Sequence, residues 1–150
     1  MAKKEKEPQI YKRLICRSKD GASVYEVKGR EIRDRVNAGF ALGCHDLACD
    51  YVPKGEIWVE QLPDATDMCF NANHEITERF LMGVNISGTP LSYNKCHGIA
   101  LGVEERDRKL GKCEPCGVML SALTADAIEF LSSPMWAKLL AKYEQGGRCH

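Results

Sequence analysis

The stretch Asn-His-Glu-Ile-Thr-Glu-Arg, residues 73–79, has the pattern H-E-x-x-E and lies inside a segment of helical apolar periodicity. Asp64 or Thr66 is placed to cap that segment at its start, and Gly83 follows its last residues. The segment therefore predicts a helix that runs to about Met82. On such a helix His74 and Glu78 lie one turn apart and point the same way.

This pair of side chains predicts a metal site. Zinc accepts both an imidazole nitrogen and a carboxylate oxygen, so His74 and Glu78 can share one ion. Glu75 lies about 100° further round the helix, where metal hydrolases place the carboxylate that takes a proton from a metal-bound water. The alternative is a solvent-facing helix with an incidental histidine, because about a few per cent of chains of this length contain such a motif by chance.

A second helix is predicted to begin near Ser92, after a loop that contains glycine and proline. Its His97 is the third candidate metal ligand. Glu104 lies about 10 Å further along the helix, which suits orienting a ligand imidazole or pairing with Arg79 better than sharing the ion. Tyr93, one turn before His97, is expected to pack in the core or to hydrogen-bond an oxyanion.

This arrangement resembles that of the gluzincins, the thermolysin-like metallopeptidases, in which H-E-x-x-H and a Glu on the following helix hold zinc. Here the ligand types are exchanged, and His74, Glu78 and His97 still supply two imidazoles and one carboxylate. The resemblance covers residues 56–105. It implies a minimal zincin-like fold, a zinc cofactor, Glu75 as general base, and a peptide or protein substrate lying extended along the strand before the first helix.

A second resemblance is to small uncharacterised prokaryotic and phage proteins that carry H-E-x-x-E-R. It rests on residues 51–59, on the motif through Arg79 and Met82, and on Tyr93-x-x-x-His97. This resemblance implies no activity. The leading hypothesis is therefore a zinc-dependent, peptidase-like hydrolase, and the alternative is a non-catalytic binding or structural protein, of phage origin, with a degenerate zincin-like fold.

The remaining candidate site residues are a histidine and the cysteines. His45 lies in a turn-like segment and is expected to be a surface residue or a further site residue, since imidazole is a common acid, base and metal ligand. The chain has eight cysteines but no apolar segment near its charged start, so we expect reduced thiols in a cytoplasmic protein. Cys113 and Cys116 form a lone C-x-x-C, which fits half a structural zinc site, with Cys149 and His150 as further ligands, or a redox pair.

Length and composition favour one globular domain of 150 residues whose first eight residues form a disordered tail. The formal net charge of zero gives no support for binding nucleic acid. No apolar run approaches the roughly 20 residues of a membrane span, so no membrane association is expected. The expected partner is the peptide or protein substrate that the gluzincin resemblance implies.

The order of elements predicts the fold class. Strands are expected at residues 11–16, 23–27, 31–36, 48–52 and 56–60, with a hairpin turn between the last two. In the last strand Ile57 and Val59 should share one face. A third helical region is expected from about Thr124 to near Gly146, interrupted at Pro134. The sequence thus predicts an α+β domain in which a small N-terminal antiparallel sheet precedes two or three packed helices.

Overall fold

A computed structural model describes residues 9–86 and 89–118 of the chain, together with the isolated positions 129, 133, 134 and 138. The expected tail of residues 1–8, Cys149 and His150 lie outside the described residues, as does the third helical region apart from those isolated positions. The described elements, in chain order, are β1 (Lys12–Arg17), β2 (Ser23–Val27), α1 (Gly29–Arg35), β3 (Gly43–His45), β4 (Glu56–Glu60), α2 (Ala65–Met82), β5 (Asn85–Ile86), β6 (Thr89–Pro90) and α3 (Tyr93–Leu110).

The main sheet has four strands in the order β1-β2-β4-β3. β1 runs antiparallel to β2, β2 runs parallel to β4, and β3 runs antiparallel to β4. The α+β class is confirmed, but the sheet is mixed and not purely antiparallel. The parallel pair is possible because the segment between β2 and β4, which includes α1 and β3, is long enough for a crossover.

Two of the expected strands are wrong. Residues 31–36 belong largely to α1, where Arg30 and Asp34 form an i,i+4 pair of the kind that supports a helix. Residues 48–52 form turns, and the edge strand lies earlier, at Gly43–His45. Val52 is buried, although it belongs to no strand. Val52 is therefore apolar because it packs against the sheet, and not because it belongs to a strand that pairs within it.

The alternation along β4 positions the two long helices. Ile57 and Val59 share one face, as predicted, and pack with Ile76 of α2. Trp58 points to the other face and packs with Phe40 and other apolar side chains. α2 therefore lies on the Ile57 face of the sheet. α3 in turn packs on α2 through buried side chains of both helices, namely Leu81, Cys96, Ile99 and Val103.

The ends of both long helices follow the predicted signals. The Asp64 side chain accepts a hydrogen bond from the Thr66 amide at 2.7 Å, which caps α2. Ser92 caps α3 in the same way through the Lys95 amide. Gly111 ends α3 with a positive φ of 66°, a conformation that glycine adopts without steric cost. Within the described part of the chain, no helix combines the length and the apolar character that a membrane span requires.

Six of the eight cysteines form three disulfides, and the expectation of reduced thiols is therefore wrong. The zinc or redox role expected for the C-x-x-C pair is wrong as well, because Cys116 bonds to Cys16 and Cys113 bonds to Cys69. These partners are distant in sequence, so the spacing of the pair could not reveal them. The cytoplasmic location remains a prediction, but it loses the support of reduced thiols, since disulfides persist mainly in oxidising compartments.

We expect the Cys16–Cys116 disulfide to stabilise the fold more than the Cys44–Cys49 disulfide does. Stabilisation grows with the length of the closed loop, and the sequence separations are 100 and 5. Replacing both cysteines of the long loop by Ser should lower the free energy of unfolding by about 4.7 kcal/mol, against about 2 kcal/mol for the short loop. Urea unfolding of both double variants measures this, and equal losses would contradict it.

Candidate metal centre

Three predicted ligands converge between α2 and α3. Glu78 Oε2 lies 2.6 Å from His97 Nδ1 and 3.5 Å from His74 Nε2. The two imidazole nitrogens, His74 Nε2 and His97 Nδ1, are 3.3 Å apart. All three distances lie within the predicted limit of about 4 Å, which follows from zinc bonds of about 2.0–2.2 Å. The three side chains are buried, and together they could hold a metal ion.

The position of His97 follows from the packing of α3. The buried positions of this helix recur at helical spacing, namely Cys96, Ile99, Ala100 and Val103. His97 is 3 % exposed and lies beside this apolar face, so the contact that buries the apolar side chains also brings its ring to Glu78. Tyr93, one turn earlier, stacks on the His97 ring with centroids 5.7 Å apart. Tyr93 therefore contacts a candidate ligand, and its expected oxyanion role remains a prediction.

Glu104 contacts the far side of the His74 ring. Its Oε1 lies 3.1 Å from His74 Nδ1, although the alignment is poor for a hydrogen bond. This places Glu104 where a carboxylate orients a ligand imidazole. The alternative partner, Arg79, is engaged elsewhere, because it forms ion pairs with Asp46 at 2.6 Å and with Asp20 at 3.3 Å.

His45 is buried beside the candidate ligands and is not a surface histidine. Its side chain is fully buried, and its Nε2 lies 2.8 Å from Glu78 Oε1. The two oxygens of Glu78 are thus divided, because Oε2 faces His74 and His97. His45 was only a weak candidate from the sequence because its burial depends on the three-residue strand β3. Its Nδ1 is buried without a hydrogen-bond partner among the described residues.

Glu75 is buried beside the candidate ligands. It is 6 % exposed, and within the described part of the chain no donor contacts its carboxylate. Gly43 makes room for it, since a Cβ there would lie 3.0 Å from Glu75 Cγ. Burial raises the pKa of Glu75 to about 8, with the charge of His74 opposing the shift and that of Glu78 adding to it. A carboxylate with a pKa near neutrality is suited to proton transfer at physiological pH.

The pKa shifts of His74 and Glu78 indicate that the buried carboxylates are stabilised by nearby positive charge. Burial opposes protonation of His74, yet Glu104 and Glu78 outweigh it and raise the His74 pKa to about 10. Burial also disfavours charge on Glu78, but hydrogen bonds from His45 and the other two histidines hold the pKa of this carboxyl well below its usual range. The proton that His74 holds thus balances part of the buried negative charge. A divalent cation would supply the same positive charge, so the donor set fits a metal ion.

A cavity of about 140 Å³ borders the candidate ligands. It is lined by Ala41, Leu42, Asn71, His74, Glu75, His97, Leu101, Glu104 and Arg108. Glu75 and the two histidine ligands therefore face a space that a water molecule or part of a substrate could enter. Glu78 and His45 are not among the residues that line this cavity.

The substrate position implied by the gluzincin resemblance is not available. The strand before α2 is β4, and both of its edges are paired, one with β2 and the other with β3. An extended peptide cannot add along either edge. The residues just before β3, Ala41 and Leu42, instead form one wall of the cavity.

Comparisons of the chain with protein-family models, with curated proteins and with solved structures found no match. The likeness to gluzincins and to phage proteins therefore rests on the motifs alone.

Glu104→Gln should weaken metal binding without abolishing it. The amide removes the charge that faces His74 Nδ1, and loss of such a supporting carboxylate lowers metal affinity by about 10–100-fold. Competition against a chromophoric chelator measures this affinity. Glu105→Gln is the matched control, because Glu105 is exposed on the same helix and pairs with Lys109. Equal affinities in the two variants would contradict the orienting role.

Proposed function

We propose that the protein is a zinc-dependent, peptidase-like hydrolase in which His74, Glu78 and His97 hold the ion and Glu75 is the general base. The observation that supports this proposal is that the ligand atoms lie close together and that Glu75 lies beside them. The ligand atoms converge within 3.5 Å of one another. Glu75, a buried carboxylate without a donor among the described residues, lines the same cavity as both histidine ligands.

Zinc is the ion that this donor set suits best. Two imidazoles and one carboxylate form the ligand set of a well-known class of catalytic zinc sites, and such sites leave one position for water or substrate. When bound, zinc would supply a Lewis acid that lowers the pKa of water and polarises a carbonyl group. The cavity beside His74 and His97 is the space available to that water and carbonyl.

The protein's own residues would divide the remaining work. Glu75 takes the proton from the attacking water and passes it to the leaving nitrogen, a role that its near-neutral pKa favours. Glu104 orients the His74 ring, and His45 orients Glu78. Leu42 and Leu101 give the cavity an apolar wall, which suits the side chain of a peptide better than a charged group.

One observation favours the alternative of a non-catalytic binding or structural protein. His74, Glu78 and His97 are between 2 % and 6 % exposed, and structural zinc sites are closed, whereas catalytic ones keep an open position. In that case the ion would join α2 to α3 and raise the melting temperature without supporting any reaction.

The two functions differ in a direct assay. Protein loaded with one equivalent of zinc is incubated with an unstructured protein substrate, and cleavage is followed by mass spectrometry, with and without chelator. We expect cleavage that chelator abolishes and that one equivalent of zinc restores. His74→Ala, purified in the same way, excludes a contaminating peptidase. A zinc-dependent rise in melting temperature with no cleavage would favour the non-catalytic alternative.

A further inference from the structure

Glu78 presents its two carboxylate oxygens to two different groups of side chains. Oε2 faces His74 and His97, the pair that holds the zinc of the proposed function. Oε1 faces His45 Nε2 at 2.8 Å. A carboxylate so divided can place one oxygen on each of two neighbouring cations, an arrangement seen in two-metal sites whose ions lie about 3.5–4 Å apart.

The second group of side chains offers one imidazole and two carboxylates, which are ligands that zinc accepts. One atom each from His45, Glu75 and Glu78 lies within 4.8 Å of the other two, and all three residues are buried. Ligands on one tetrahedral zinc ion lie about 3.3–3.6 Å apart, given bonds of about 2.0–2.2 Å. A closure of the group by about 1 Å would therefore bring these three atoms onto one ion.

Glu75 supplies an independent reason to expect a cation there. The residue is 6 % exposed, and its carboxylate has no hydrogen-bond donor among the described residues. A buried carboxylate without a hydrogen-bond donor is costly to keep ionised. Gly43 leaves room for it, and lies two residues before His45 on β3, so both face α2 from the same side of the strand.

We propose that His45, Glu75 and Glu78 form a second divalent-cation position, and that Glu78 bridges it to the position formed with His74 and His97. The inference rests on the proposed function for its first ion. The second ion binds more weakly, because the first has already neutralised Glu78. It also occupies Glu75, so the doubly loaded protein lacks a free base and should be inactive.

The test counts zinc ions in four forms of the full chain. Equilibrium dialysis against zinc, followed by elemental analysis, gives the number bound to wild type, His45→Gln, Glu75→Gln and His97→Ala. Gln at position 45 keeps an amide donor for Glu78, and Gln at position 75 keeps the shape of the native side chain. Circular dichroism and melting temperature establish that each variant is folded. Glu75→Gln provides the result even where His45→Gln fails to fold.

We expect two equivalents in wild type and one tightly bound equivalent in His45→Gln and Glu75→Gln. His97→Ala should lose the tightly bound equivalent. One equivalent in wild type would overturn the second position and leave the proposed function standing, with His45 only a hydrogen-bond donor to Glu78. Two equivalents in all folded variants would place the second ion elsewhere and overturn the inference. No zinc in wild type would overturn the proposed function as well.

Discussion

Glu75→Gln should keep the tightly bound zinc ion and lose hydrolysis by about 10²–10⁴-fold, the usual contribution of a general base. The amide has nearly the same shape but cannot accept a proton from water at neutral pH. Because Glu75 lies outside the His74, Glu78 and His97 group, the first ion keeps all of its protein ligands. The measurement is kcat/KM on an unstructured protein substrate, with bound zinc determined in the same samples.

The matched control is again Glu105→Gln, which alters an exposed carboxylate on α3 that pairs with Lys109. It should leave kcat/KM unchanged. If Glu75→Gln were as active as wild type, Glu75 would not be the base, and the non-catalytic alternative would gain weight for this site.

Glu78→Ala should weaken zinc binding more than any other single substitution at a carboxylate of this chain. Glu78 is the only carboxylate among the three ligands of the first ion, and it accepts contacts from three histidines. Supporting carboxylates contribute about 10–100-fold to metal affinity, so loss of this ligand should exceed about 100-fold. Glu78→Gln separates the effect of the side chain's charge on zinc affinity from the effect of its shape. This variant should also bind zinc poorly, because a neutral amide is a weak ligand for zinc.

The same substitution should destabilise the ion-free protein. Removing one partner of a buried charged pair leaves the other uncompensated and costs about 3–5 kcal/mol. Zinc titration and urea unfolding of Glu78→Ala and Glu75→Gln test both effects. Unchanged zinc affinity in Glu78→Ala would mean that Glu78 is not a ligand and that the H-E-x-x-E pattern arose by chance.

The ligands that lie on a single helix were predictable from the sequence. His74 and Glu78 lie one turn apart on a helix whose cap, Asp64, is itself a local signal. His97 required one further assumption, that consecutive helices pack against each other. The structure meets that assumption because apolar side chains of α2 and α3 form one cluster.

Features that depend on distant pairing were not predictable. His45 reaches Glu78 across 33 residues, and only because β3 pairs with β4. No periodicity can be read from a strand of three residues. The cysteine partners are separated by 100 and 44 residues in two of the three disulfides. The strand predicted at residues 31–36 was wrong for a local reason. Charged and aliphatic residues alternate there as in a strand, and this pattern outweighed the i,i+4 pairing that supports the helix.

The measurement that tests the account most directly is a crystal structure of the zinc-loaded protein with anomalous scattering recorded at the zinc edge. We expect an anomalous peak about 2.0–2.2 Å from His74 Nε2, Glu78 Oε2 and His97 Nδ1. A peak that lies away from these three atoms, or no peak between α2 and α3 in zinc-soaked crystals, would contradict the metal centre on which the proposed function depends.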